Sequence, residues 1–118
     1  MSRKVIPNRR ESVTQSFRVL PTRRVYISTS GEPPQEIFLR IKGGEASSEV
    51  VALYDIVARL ASLALQHGVP IVEIGAMLRG VSVEPAGVVH GYERIKFCTS
   101  VPDVIGRYLL LQYGTEEI

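Results

Sequence analysis

Thr99-Ser100-Val101-Pro102-Asp103, followed one helical turn later by Arg107, is the run of residues whose spacing speaks most directly of chemistry. Ser100 precedes an apolar-periodic segment and is placed as a helix N-cap, its hydroxyl accepting from a backbone N–H of the first turn. Pro102 falls in that first turn, where its missing N–H costs nothing. Asp103 stands three residues after the cap, a short-chain form of the capping box. A helix start also gathers free N–H groups and the positive end of the dipole, which together can hold a phosphate. Arg107 is spaced to pair with Asp103 or to reach such an anion. Two readings follow: the cap of a core helix, and an anion site.

Catalysis finds less support. His67 falls at a helix end, where an imidazole complements the dipole. His90 has no Cys or His beside it to complete a metal site, and Cys98 is the only cysteine, which excludes an internal disulfide and a cysteine-based zinc site. Ser100, His90 and Asp103 could be assembled into a nucleophilic set, but most sequences of this size would allow one. Neither a G-x-S-x-G elbow nor a GxxxxGK[ST] loop is present. The expectation is a binding protein rather than an enzyme, without metal or cofactor.

The elements that must position these residues are legible from periodicity. Val13, Gln15, Phe17 and Val19 alternate with Thr14, Ser16 and Arg18, as in a strand with one covered face. After Leu20-Pro21-Thr22, a second strand places Val25 and Ile27 on one side and Arg24, Tyr26 and Ser28 on the other. A third, after the Gly31-Glu32-Pro33-Pro34 turn, sets Ile37, Leu39 and Ile41 against Phe38, Arg40 and Lys42. Short connections favour an antiparallel meander. Its open face would collect Arg18, Arg24, Tyr26, Phe38, Arg40 and Lys42, cations for phosphates interleaved with rings for bases. A solvated or subunit-covered face is the other reading.

Ser47 or Ser48 opens the longest helix, to about His67, with Val50, Leu53, Tyr54, Val57, Leu60, Ala61, Ala64 and Leu65 as its expected core stripe. The opposite side (Val51, Asp55, Ala58, Arg59, Ser62, Gln66) is small and half polar, and suits a partner subunit. Arg59 there needs an anion, with Asp55 four residues earlier as the nearest candidate. A second helix follows Val69-Pro70 through Leu78, with Ile71, Ile74, Met77 and Leu78 apolar, and ends at Gly80. Residues 81–92 show no clear periodicity and read as a long loop of the kind that often carries function. Residues 95–97 suggest a short strand, and the last helix presents Val101, Val104, Ile105, Tyr108 and Leu109 as one face before Gly114. The fold class expected is α+β: a small antiparallel sheet packed with two to three helices, oligomeric.

At 118 residues, 45% hydrophobic and 22% charged, the chain suits one modest domain. No apolar run reaches transmembrane length and no secretory leader is visible, so a cytoplasmic location is expected. The net charge of +2 conceals a basic N-terminal stretch: residues 1–24 carry seven Lys/Arg and one acid, leaving the remainder at −4. Residues 1–10 read as a flexible basic arm, and residues 11–118 as a single domain.

Thr99-Ser100-Val101-Pro102-Asp103 resembles the five-residue signature of the TSCPD domain, with Val101 in place of the usual Cys. Arg9-Arg10, Pro34-Gln35-Glu36-Ile37-Phe38-Leu39, Ser62 to Pro70 (SLALQHGVP) and Val83-Glu84-Pro85-Ala86-Gly87 are similar to blocks in the C-terminal region of cobalamin-dependent ribonucleotide reductases, which read roughly GxPxEIFI, SLALQYGVP and FEPSG. The similarity runs from residue 9 to about 113, and these residues hold no counterpart of the reductase's catalytic barrel, so reductase activity is not expected of them. Among free-standing proteins the pattern resembles the first described phage Thoeris anti-defence proteins, with Leu20-Pro21-Thr22-Arg23-Arg24 and Arg107 fitting that family.

That resemblance implies a sponge that holds cyclic ADP-ribose isomers, and in some members cyclic oligonucleotides, without cleaving them. It also implies a dimer or higher homo-oligomer in the host cytoplasm, with neither membrane nor nucleic acid as partner. The ligand-binding set expected is Arg18, Arg24, Pro85, His90, Ser100, Asp103 and Arg107, with Arg59 as a candidate second anion site. The alternative function is an accessory or regulatory nucleotide-binding domain associated with ribonucleotide reductase. A nucleic-acid module, resting only on the basic arm and the basic–aromatic face, is the third.

Overall fold

The three alternating segments form the strands that their periodicity predicts: β1 (Ser12–Val19), β2 (Arg23–Ser30) and β3 (Glu36–Lys42). The computed structural model describes residues 12–19, 22–43 and 46–114; the expected arm over residues 1–10 lies outside them. Two further strands, β4 (Gly87–His90) and β5 (Phe97–Cys98), extend the sheet to five, in the antiparallel order β3-β2-β1-β4-β5. The helices are α1 (Ser48–Gln66), α2 (Ile71–Leu78) and α3 (Val101–Tyr113). The chain is thus a compact α+β unit, as expected. No helix among the described residues is long and apolar enough to cross a membrane.

One face of the sheet is covered and buries Phe17, Val19, Val25, Ile27, Ile37, Ile41 and Val89. α3 supplies the cover through Val101, Val104, Ile105, Tyr108 and Leu109, the face read from its spacing. Each fully buried aliphatic side chain is worth about 1.5–3 kcal/mol, so this layer is the main source of cohesion. Phe17, Tyr92 and Tyr108 meet edge to face with centroids 5.4–5.8 Å apart. Burial there, then the neighbouring Tyr113 and Tyr92, push the Tyr108 phenol up to about 12. Tyr113 and Thr29 join hydroxyls at 2.6 Å and fasten the end of α3 to β2.

The segment 81–92, expected as a loop, contains β4. Four residues are too few to show a period, and β4 exists because β1 offers it a backbone edge: Arg18 faces His90 and Val19 faces Val89. α1 departs from expectation in a second way. Its buried residues are Ala58, Ser62, Leu65 and Gln66, whereas Leu53 and Leu60 are 54% and 61% exposed and Val57 is also exposed. The physical reason is the element it packs on. α3 occupies the sheet face, so α1 covers the outer edge of β3, where close approach and hydrogen bonds matter more than bulk. Ser62 Oγ accepts from the Ile37 N–H at 2.8 Å and donates to the Ile37 carbonyl at 3.0 Å. Gln66 Nε2 donates to the Gln35 carbonyl at 3.1 Å. The small, half-polar side therefore closes an edge that would otherwise invite pairing with another chain.

After the short corner at 67–70, α2 packs on α3. The two helices approach at Gly75 and Gly106. A Cβ on Gly106 would meet the Arg79 backbone nitrogen and, at 2.6 Å, the Gly75 carbonyl oxygen. Backbone cannot rotate aside as a side chain can, so Gly106→Ala should destabilise the fold by about 1–3 kcal/mol. A urea denaturation midpoint equal to that of the parent would contradict this packing.

Candidate functional site

Among the described residues no helix lies on the face of the sheet opposite α3, and the side chains of that face stand in cross-strand rows. His90, Arg18, Arg24 and Lys42 lie directly across four neighbouring strands. At about 4.8 Å per strand the row spans about 14 Å. The next row holds Ser16, Tyr26 and Arg40, and the one beyond it Thr14, Ser28 and Phe38. Like charges placed directly opposite destabilise a sheet, and three permanent cations in one line are an unusual arrangement. The ion pairs between described residues, Arg59–Asp55 and Arg107–Asp103, involve none of them. The first acid on this face, Glu36, stands three rows from the cations, where Ser30 Oγ donates to it at 3.3 Å.

Two adjoining depressions occupy the face. One, of about 530 Å³, is lined by Ser16, Phe17, Arg18, Arg24, Tyr26, His90 and Gly91. The other, of about 570 Å³, is lined by Thr14, Tyr26, Ser28, Phe38, Leu39, Arg40 and Lys42. Both volumes are of ligand-site size, and Tyr26 forms a wall of each. Gly91 sits at φ +110, and a Cβ there would come within 2.7 Å of the Ser16 carbonyl oxygen. Gln15 Nε2 donates to the Gly91 carbonyl at 2.9 Å. These contacts hold the end of β4, and with it His90, against β1.

The Ser100 turn builds a different kind of site. Ser100 and Asp103 are fully buried. Ser100 Oγ accepts from the Asp103 N–H at 2.9 Å and donates to the Val81 carbonyl at 2.6 Å, and Thr99 Oγ1 donates to the same carbonyl at 2.8 Å. Asp103 Oδ1 accepts from the Gly80 N–H at 2.7 Å, and Oδ2 from the Thr99 N–H and Arg107 Nε, both at 2.9 Å. Burial alone would raise this carboxyl, but the two backbone N–H groups and the guanidinium outweigh it and hold the group below its ordinary value. Cys98, next to the turn, is buried and its thiol is pushed up by that burial.

The expected site residues therefore fall into separate places. Arg18, Arg24 and His90 share one depression. Ser100, Asp103 and Arg107 form a hydrogen-bonded cluster at the start of α3, whose anion is the protein's own carboxylate. Pro85 lies in the segment joining α2 to β4, two residues beyond Val83, whose N–H donates to the Thr99 carbonyl. Arg59 pairs with Asp55 at 3.4 Å on the exposed side of α1. Lys42, Arg40 and Phe38 complete the basic face; alternation alone puts them on it, but only strand register sets Lys42 opposite Arg24, Arg40 opposite Tyr26 and Phe38 opposite Ser28. Gly91 left no signal in the sequence, since its role depends on a contact with β1. Arg23, beside Arg24 in sequence, is on the covered face, with its Nε buried and unpartnered among the described residues. No group of three or more His, Cys, Asp or Glu suited to a metal ion occurs among the described residues.

Fold and site define a small α+β domain with a cationic open face and a buried Ser–Asp–Arg turn. The TSCPD domain model matches residues 2–113, and the chain belongs to the TSCPD domain family. It is 36% identical over 115 residues to a vitamin B12-dependent ribonucleotide reductase of Agrobacterium fabrum, and 35% identical over 116 residues to the one of Bradyrhizobium diazoefficiens. Each alignment covers 94% of this chain, which spans only 9% of the relative's length. No solved structure matches it significantly.

The Asp103 cluster makes a pH-dependent contribution with a definite sign. A lowered folded-state value means that the stabilisation is present above the unfolded carboxylate value, near 4, and is lost as pH falls through the folded one. Asp103→Asn turns an N–H₂ toward backbone or guanidinium donors, so it should cost about 3–5 kcal/mol at pH 7, the usual loss on breaking a buried pair. The variant should also flatten the acid limb of the stability curve. Equal denaturation midpoints at pH 7 would contradict the assignment.

Proposed function

We propose that this TSCPD protein binds cyclic nucleotide signals on its open sheet face and sequesters them without cleavage. The ligands are cyclic ADP-ribose isomers and, on the same chemistry, cyclic oligonucleotides. In this reading it is a phage anti-defence protein of the Thoeris-countering kind, acting in the cytoplasm of the host. The observation that carries the proposal is the cross-strand row of Arg18, Arg24 and Lys42, which has no ion pair among the described residues, with His90 at its end. A phosphate-bearing ligand neutralises the mutual repulsion of that row and gains charge-assisted hydrogen bonds from the guanidinium groups. Sequestration needs tight holding and no reacting groups, and the three rows from His90–Lys42 to Thr14–Phe38 hold no carboxylate, the acid of this face, Glu36, standing one row further on.

The same reading makes the protein a homo-oligomer. Leu53, Ile56, Leu60 and Leu63 follow a three–four spacing along the exposed side of α1, the repeat that packs one helix against another. A second reading, an accessory domain working with a ribonucleotide reductase, is favoured by the identity to the B12-dependent enzymes. Co-elution with a reductase lacking this domain would favour it.

The test is mass spectrometry of material released by heating the protein after incubation with a TIR-generated signal. The intact cyclic nucleotide is expected; a cleaved product, or nothing retained, would reject sequestration. Arg18→Ala and Arg24→Ala should each weaken binding by about 1.5–3 kcal/mol, the worth of a hydrogen bond to a charged group, with melting temperatures preserved. Light scattering should give at least a dimer for the parent chain and a smaller species for Leu60→Asp.

A further inference from the structure

We infer that the open sheet face reads its ligand in two parts, a diphosphate on the row of Arg18, Arg24 and Lys42 and a planar base on Phe38. This rests on the anion-binding reading above and deepens it, since that reading needs only the cations. Phe38 is 52% exposed on a face that no described element covers, an expensive place for a large apolar ring. It lies four residues from Lys42 along β3, about 13 Å at the rise of a strand. That interval suits a nucleoside diphosphate laid out along the strand, with its ribose over the intervening row of Tyr26 and Arg40. Tyr26 divides the two depressions. Its ring makes no aromatic contact with Phe38; the ring contacts of the described residues are confined to Phe17, Tyr92 and Tyr108 on the other side of the sheet. The space beside Phe38 is thus open to a base. Thr14 and Ser28, hydrogen-bonded to each other at 2.8 Å, border the same depression and present hydroxyls to a base edge.

The charge pattern selects the class of occupant. Cations are dense at one end of the face and absent from the row of Thr14, Ser28 and Phe38, so phosphate is favoured at the first end and an uncharged ring at the second. A second copy of this chain would bring the same cations against one another across the face. A nucleic-acid strand would need phosphate contacts along its whole track.

Calorimetric titration of the full chain with ADP, pyrophosphate and adenosine at fixed salt tests the division. ADP should bind about tenfold or more tightly than pyrophosphate, the gain expected from stacking one base. Phe38→Ala should bring ADP down to the pyrophosphate level and leave pyrophosphate itself unchanged, while Phe38→Tyr should restore the preference. Arg24→Ala should weaken both anions by a similar factor. Equal affinities for ADP and pyrophosphate in the parent, or an unchanged ratio in Phe38→Ala, would overturn the two-part site while leaving anion binding intact. Indifference of both ligands to Arg24→Ala would overturn the underlying reading as well. Binding of a six-residue oligo-dA a hundredfold tighter than ADP would overturn the choice of a small ligand.

Discussion

A carboxylate removed from water must be met by donors, and at Asp103 they come from three segments that are distant or differently structured. Gly80 closes α2, Thr99 follows β5, and Arg107 sits one turn along α3. Because all three converge on two oxygens, the end of α2, the exit from the sheet and the direction of α3 are fixed together. Ser100 adds a fourth tie, to Val81. The apolar face of α3 is thereby laid on Phe17, Val25 and their neighbours. An anion is indeed bound at this helix start, as the physics of the dipole requires, but it is the chain's own.

On the proposed reading, that arrangement leaves one surface for a ligand. With α3 on one face of the sheet and α1 along the β3 edge, the only broad backbone-supported surface left among the described elements is the opposite face. The rows there put Arg18, Arg24 and Lys42 in a line with no ion-paired acid among the described residues. Such a row lowers the stability of the empty protein slightly and offers more to a bound anion, the trade expected of a binding surface. Glycine at position 91 and the Gln15 side chain add rigidity on the β4 side, so that His90 is held at the end of the row rather than on a mobile loop.

Much of this was legible in residue order. Alternation places Phe17, Val19, Val25, Ile27, Ile37 and Ile41 on the covered face and Arg18, Arg24, Phe38, Arg40 and Lys42 on the open one, because a period of two leaves no freedom once one side is buried. The α3 cap and its apolar face were equally plain. What was not legible depended on which surface each element meets. The apolar stripe of α1 was assigned to the core because bulk normally packs inward, yet the helix lies on a strand edge, where Ser62 and Gln66 serve better than leucine. β4 was hidden because a four-residue strand has no measurable period and is defined by its neighbour. Ser100 and Asp103 fall with Arg24 in one expected set because residue type and spacing show anion-binding chemistry without location; only the fold separates the buried turn from the open face.

The central claim is that nucleotide anions are held on the open face of the sheet and not at the start of α3. Backbone amide chemical-shift mapping by NMR during titration with a cyclic ADP-ribose isomer tests it most directly. The largest changes are expected at residues 16–18, 24–28, 38–42 and 90–91, with the amides of residues 99–107 little affected. Changes concentrated at 99–107, with β2 and β3 silent, would contradict it.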